Sequence, residues 1–327
     1  SPTPLIDDSY MAKSIWVVDA EAPFEARPAV ANNGKMTTFE WAPDGSAIVV
    51  QTAHDIHDPA ASQVAYVEIP ADGSTAGTAV GDAGWHWLTD TAMEATTAQA
   101  GAGSEPGRGW WLQHTGFTDD LMFAELDPDT GVAGQAMPMW GGLGSMRAVE
   151  MDSVTHKSVF LGSTADHPFE AFAYSFEEFE AGGKPRRLTD ANPWLSEISL
   201  GDQRVVTWKA RPDNGSWPIE GLLLTPKGWT EADGPLPTIV VVHGGPEANI
   251  TDGWVTNYSY PGQVATGAGY AVLMPNYRAS TGYGLDFAKA NQKDQAGAEF
   301  DDIVDGVRHL IAEGIADPDR VGVTGGS

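Results

Sequence analysis

The sequence contains no cysteine, which excludes disulfide scaffolds, thiol nucleophiles and thiolate metal sites. Basic side chains are scarce, 18 Lys and Arg against 45 Asp and Glu, for a net charge of −27. Such a surface repels phosphate backbones and anionic lipid, so neither nucleic acid nor a membrane surface is expected as a partner. The acidity reads as solvation, with attraction of cationic substrates or adaptation to salt as the functional alternatives. Long hydrophobic runs are also missing. Ile239–Val242 is typical of the longest, far short of the ~20 residues a spanning helix needs, and a soluble protein is expected. The opening "SPTPLIDDSY" has neither a basic nor an apolar leader region, so no signal peptide is visible. There is no initiator Met, which leaves a removed leader or missing upstream sequence open. Compartment stays open, the cytoplasm favoured over periplasm or secretion.

No cofactor and no metal are expected. "GGLGSM" (141–146) lacks the G-x-G-x-x-G spacing and the βαβ context of a dinucleotide site. "HDIHD" (54–58) has ligand-type residues without the three or four convergent groups a zinc site requires, and reads as a loop.

What the sequence does have is two rhythms, and its length of 327 residues suits two domains or more. Residues 1–204 read as short strands separated by Gly, Pro, Asp and Asn. An aromatic strand followed by an acidic-glycine turn recurs at "YVEIPADG", "FAELDPDTG" and "YSFEEFEAGG". With "WVVDA" at Trp16, the period is about 50 residues, which predicts propeller blades, four of them here. "FEWAPDGSAIVV" (39–50) is a hairpin with a Pro-Asp-Gly turn. The Trp pairs at 85–87 and 110–111 read as packing within and between blades. Residues 205–327 alternate strands ("RVVTWKA", "IEGLLLTP", "TIVVVHGGP", "YAVLMPNY", "RVGVTGGS") with an amphipathic helix, "EFDDIVDGVRHLIAEG" (299–314). Phe300, Ile303, Val304, Val307, Leu310 and Ile311 form its apolar stripe. This is the N-terminal part of an α/β domain with a mostly parallel sheet, its last strands covered on both faces.

The chain ends on "VGVTGGS". A G-x-S arriving from a buried strand is the first half of a nucleophile elbow, where small neighbours are needed because Cβ atoms would collide with adjacent elements. Alone, Gly-Gly-Ser is a commonplace loop; "VVVHGGP" (240–246) changes that, since a Gly pair after an interior strand is where this fold keeps an oxyanion-hole N–H. Ser327 is the candidate nucleophile and Gly245 the candidate oxyanion donor. In this fold the nucleophile precedes its acid and base, so His243 and His309 are expected to be structural.

"GLLLTP", "HGGP", "GYAVLMPNYRASTGYG", "DPDRVGVTGGS" and the blade-like repeats together resemble the prolyl oligopeptidase family of serine peptidases, most of all its acylaminoacyl-peptidase and dipeptidyl-peptidase-like branch. The resemblance is strong from about residue 219 and loose before it. It implies a β-propeller capping an α/β-hydrolase domain, short peptides as substrates, and a triad Asp and His beyond residue 327. The chain alone is therefore expected to be inactive. "FEWAPDG" matches the family's repeat with Ala42 in place of Ser, and Ala279 stands where Gly is commoner. Two roles are open to Arg278: contact with a substrate carbonyl, or an ion pair with a carboxylate such as Asp302. Glu177 and Glu178 read as a solvated turn, with binding of a substrate's amino terminus as the alternative. The rival functions are a carboxylesterase on the same fold and a non-catalytic binding protein; assembly into a homo-oligomer is left open.

Overall fold

The computed structural model describes residues 13–31, 34–71, 77–92, 99–152, 155, 157–211, 217–245 and 247–326. Its first part is a row of antiparallel sheets. A two-stranded pair, β1 (Ile15–Val18) and β2 (Ala26–Val30), comes first. Three four-stranded meanders follow: β3 (Met36–Trp41), β4 (Ala47–Thr52), β5 (Gln63–Glu68) and β6 (Trp85–Trp87); β7 (Ala100–Ala102), β8 (Arg108–Thr115), β9 (Thr118–Glu125) and β10 (Met137–Leu143); β11 (Ser145–Asp152), β12 (Lys157–Thr164), β13 (His167–Ser175) and β14 (Arg186–Arg187). The aromatic repeat maps onto this frame. Tyr66, Phe123 and Tyr174 all lie on the third strand of their meander. Among the described residues three of the four expected units are four-stranded, the first is a two-stranded pair, and the sheets do not close into a propeller.

Period-two alternation builds the cores between sheets. Trp110 and Trp111 are neighbours on β8 and face opposite ways. Trp111 packs with Val49, Tyr66 and Leu88 of the preceding meander, Trp110 with Phe160, Phe172 and Tyr174 of the following one. The Pro-Asp-Gly hairpin forms between β3 and β4, with Asp44 accepting from the Ser46 N–H at 3.0 Å and Gly45 at φ 74°. "YSFEEFEAGG" differs from expectation. The chain after β13 coils into a short helix, α1 (Phe176–Glu180), because the Ser175 hydroxyl caps the Glu178 N–H.

The second part is a five-stranded sheet in the order β15 (Asp202–Lys209), β16 (Pro218–Thr225), β18 (Ala271–Asn276), β17 (Leu236–Val242), β19 (Ala316–Gly325). β17 pairs parallel with β18 and β19, whereas β15–β16 and β16–β18 are antiparallel. The sheet is thus mixed rather than mostly parallel, since the antiparallel hairpin β15–β16 attaches directly to β18. Its centre is covered on both faces: Ile219, Leu223 and Leu273 point one way, Leu222, Leu224, Val272 and Met274 the other. β19 departs from the expected buried strand. It pairs at the edge, and Val323 is 74% exposed.

Helices α2 (Gly262–Gly267), α3 (Leu285–Ala288) and α4 (Ala298–Ala312) complete this part. Helix α4 has the expected period and its stop at Gly314, φ 72°. Its buried stripe is rotated, however, to Asp302, Gly306 and Leu310, and Phe300 is 60% exposed. The reason is steric and electrostatic. A Cβ on Gly306 would lie 2.6 Å from the Trp208 ring, and the Trp208 indole donates to the Asp302 carbonyl at 2.9 Å.

Gly306→Val tests this packing. A side chain in place of a mid-helix glycine ordinarily gains part of about 1 kcal/mol of helix propensity, but here the clash with Trp208 dominates. Net destabilisation of about 1–3 kcal/mol is expected, measured by urea denaturation; a stabilised variant would refute the close approach.

Candidate active site

Parallel strands β17 and β19 run in register to their carboxyl ends, the final pair being Val242 and Gly325. The corner His243–Gly244–Gly245 and Gly326 therefore leave neighbouring strands at the same edge, where ligands bind in open α/β sheets. Glycine is required at both departures. A Cβ at 325 would collide with the Val242 carbonyl oxygen, and Gly245 sits at φ 126°, where an added Cβ would come within 2.5 Å of the Glu247 nitrogen. Ser327 lies outside the described residues.

The corner is held from beneath by residues after β18. Tyr277 donates from its hydroxyl to the His243 carbonyl at 2.7 Å and stacks on the imidazole at 4.5 Å between centroids. Burial pushes the Tyr277 phenol up to about 12, so it stays a donor at neutral pH. The buried His243 ring turns Nδ1 to the Gly244 carbonyl at 2.8 Å and Nε2 to the Ser280 hydroxyl at 3.0 Å. A carbonyl only accepts, so Nδ1 carries the proton. Burial lowers the imidazole pKa, favouring the neutral ring. Both side-chain nitrogens of His243 are thus engaged within the corner. Further along, the fully buried Asn276 side chain accepts from Ile250 N at 2.7 Å and donates to Ile250 O at 2.9 Å.

Arg278 makes the ion pair. Its Nε and one terminal nitrogen reach the Asp302 carboxylate at 2.7 and 2.6 Å, and its backbone N–H adds a third bond at 3.1 Å. Arg278 is 4% exposed and Asp302 fully buried, so the pair ties the end of β18 to α4. Ala279, next in sequence, is buried at φ 76°, a conformation that explains why glycine is commoner there in the resembling family. Glu177 and Glu178 are exposed on α1, and Glu178 returns its carboxylate to the Ser175 hydroxyl at 3.0 Å. Tyr277, Ser280 and Asn276 were not singled out from sequence. The available signal was a polar residue, Asn276, closing an otherwise apolar strand.

Two outcomes follow from these burials. Asp302→Ala strands a buried guanidinium and is expected to destabilise the protein by about 3–5 kcal/mol. Lys227→Ala, which removes an exposed pair with Asp202 at 2.7 Å, is expected to change stability by less than about 1 kcal/mol; equal effects in chemical denaturation would contradict the assignment. For His243, burial holds the folded pKa below the ordinary histidine value of about 6.5, so below that pH the unfolded chain binds a proton the native ring resists. Stability contributed by the neutral ring is present above pH 6.5 and is lost as pH falls toward the native value. His243→Asn should flatten the stability–pH curve just below 6.5.

Comparison with known proteins follows the same lines. Residues 256–327 match the prolyl oligopeptidase family. Dipeptidyl aminopeptidase BIII of Pseudoxanthomonas mexicana is 40% identical over 178 residues, covering 50% of this chain and 23% of that protein. An acylamino-acid-releasing enzyme of Arabidopsis thaliana is 34% identical over 110 residues, 34% of this chain and 14% of that one. The acylaminoacyl peptidase structure from Pyrococcus horikoshii superposes with a TM-score of 0.69 at 20% identity, covering 97% of this chain and 44% of that one. The chain thus spans less than half the length of that solved relative, and its matches cover a quarter or less of these curated ones. Among the described residues no helix is long and apolar enough to cross a membrane. Motifs and sequence match point the same way: over residues 256–327 the chain is similar to the prolyl oligopeptidase family.

Proposed function

We propose that this chain carries the nucleophile and oxyanion corner of a serine peptidase that hydrolyses short peptides, of dipeptidyl-peptidase, aminopeptidase or acylaminoacyl-peptidase type. Ser327 attacks the peptide carbonyl while a His later in the full sequence takes its proton. That proton passes to the leaving amine, and water then hydrolyses the acyl-enzyme. The Gly245 N–H and the N–H of the residue after Ser327 hold the oxyanion. Residues 1–204 form a propeller-type cap over the cleft and 205–327 the first part of the hydrolase domain. Arg278 serves this site indirectly, by fixing the loop after β18.

The observation that supports this reading is the shared end of β17 and β19, with Val242 opposite Gly325 and no room for a Cβ at 325. Losing one oxyanion donor typically costs about 10²–10³ in rate, so the sequence invests both corners with glycine where backbone must approach the reacting carbonyl. The names of relatives, a dipeptidyl aminopeptidase and acylaminoacyl-type enzymes, favour amide over ester substrates.

The full-length gene product is expected to cleave dipeptidyl or N-acetyl-aminoacyl naphthylamides and to be labelled at Ser327 by a fluorophosphonate. Ser327→Ala should abolish both. Residues 1–327 alone should remain unlabelled. Faster turnover of short acyl esters than of any peptide amide would favour the carboxylesterase instead, and an unlabelled full-length protein would remove the serine mechanism.

A further inference from the structure

The segment that begins at the Gly245 corner is held not only by its own domain but by the turn between β8 and β9. Gly116, at φ 59° in that turn, donates to the Gly282 carbonyl at 2.9 Å, and the Phe117 carbonyl accepts from Asp252 N at 2.7 Å. The Asn249 side chain reaches the Gly116 carbonyl through Nδ2 at 3.3 Å, while its Oδ1 faces the Thr281 hydroxyl at 3.4 Å. Thr281 N donates to the Ala248 carbonyl at 3.0 Å. The Phe117 ring is 4% exposed and packs with Leu222, Leu224, Val241 and Ile250, inside the hydrolase sheet's own core.

The hairpin is also stiff. His114 and Asp119 pair across its strands, and the fully buried Asp119 accepts from Met146 N at 2.5 Å, tying the hairpin to the next meander. Gly144 and Ser163 of the next meander also approach this stretch, at Asp252 and Trp254, and three further contacts between the two parts go elsewhere. Lys289 pairs with Asp55 at 2.9 Å, Gln292 donates to the His57 carbonyl at 2.6 Å, and Leu285 N donates to the Thr91 carbonyl at 2.9 Å. These partners lie at 285–292, outside the 243–252 segment.

We propose that the β8–β9 turn is a positioning element for the oxyanion corner, with Gly116 and Asn249 as positioning residues. The Asn249 amide is the bridge: it binds the blade turn on one side and the Thr281 loop on the other, so docking of the blades sets where the 245–250 segment lies. Catalytic competence then depends on this turn rather than on the contacts at 285–292. The inference rests on Gly245 as the oxyanion donor.

The test uses the full-length gene product and a peptide naphthylamide. Asn249→Asp keeps the volume and the oxygen facing Thr281 but removes the donor to Gly116. Gly116→Ala adds a methyl within 3.2 Å of the Glu220 carboxylate and strains the turn. Both are expected to lower kcat about 10- to 100-fold, as displaced catalytic groups do, with KM within about twofold, because the loss falls on the transition state. Thermal midpoints should stay near that of the unmodified protein for Asn249→Asp. Lys289→Met, which cuts a contact elsewhere, should leave kcat unchanged. Unimpaired kcat in Asn249→Asp, or an equal loss in Lys289→Met, would overturn the proposal while fluorophosphonate labelling at Ser327 keeps the peptidase reading intact. An unlabelled unmodified protein would overturn both.

Discussion

The structure turns on one constraint: two parallel strands end together with no space between them for a β-carbon. Val242 and Gly325 close the β17–β19 ladder, and the Val242 carbonyl occupies the place a side chain at 325 would take. Residue 325 must therefore be glycine, and the Gly244–Gly245 corner leaves the neighbouring strand beside it. Under the proposed function, these two glycine corners at the same sheet edge are where N–H groups meet developing negative charge.

The support of the corner is mostly polar, although it is buried. Tyr277, Ser280 and Asn276 satisfy backbone and ring groups that burial would otherwise leave unpaired, a state costing about 1–3 kcal/mol per group. These bonds join the end of β18 and the loop after it to His243 and Ile250, so the loop and the corner are tied together. The Arg278–Asp302 pair then fixes the loop to α4. A buried ion pair adds little net stability over an apolar replacement, and its value here is geometric: three hydrogen bonds to one carboxylate define both distance and direction.

Charge follows the same economy. In a chain with so few cations, several arginines bind carboxylates at junctions between elements rather than lying idle on the surface. Arg211 joins the end of β15 to Asp301 and Asp305 of α4 at 2.9 and 2.8 Å, and Arg187 joins β14 to Glu170 of β13 at 3.1 Å. The excess carboxylates are left largely to water.

Local chemistry explains what could be read from the chain alone. Apolar runs, the Pro-Asp-Gly hairpin, the aromatic repeat on third strands and the helix period are all decided within a few residues by sterics and amphipathicity, so β16 to β18, α4 and the diglycine corner were legible. Where the helix turned its buried side, how the sheet mixed its directions, which alternative Arg278 took and which turn meets Asn249 were decided by partners distant in sequence. Trp208 meets Gly306, Arg278 meets Asp302, and Gly116 meets Asn249 only after the chain has packed. Sequence pattern determines which faces are sticky and where backbone can bend; the choice among sticky faces is made by shape and charge at contacts that exist only in the folded protein.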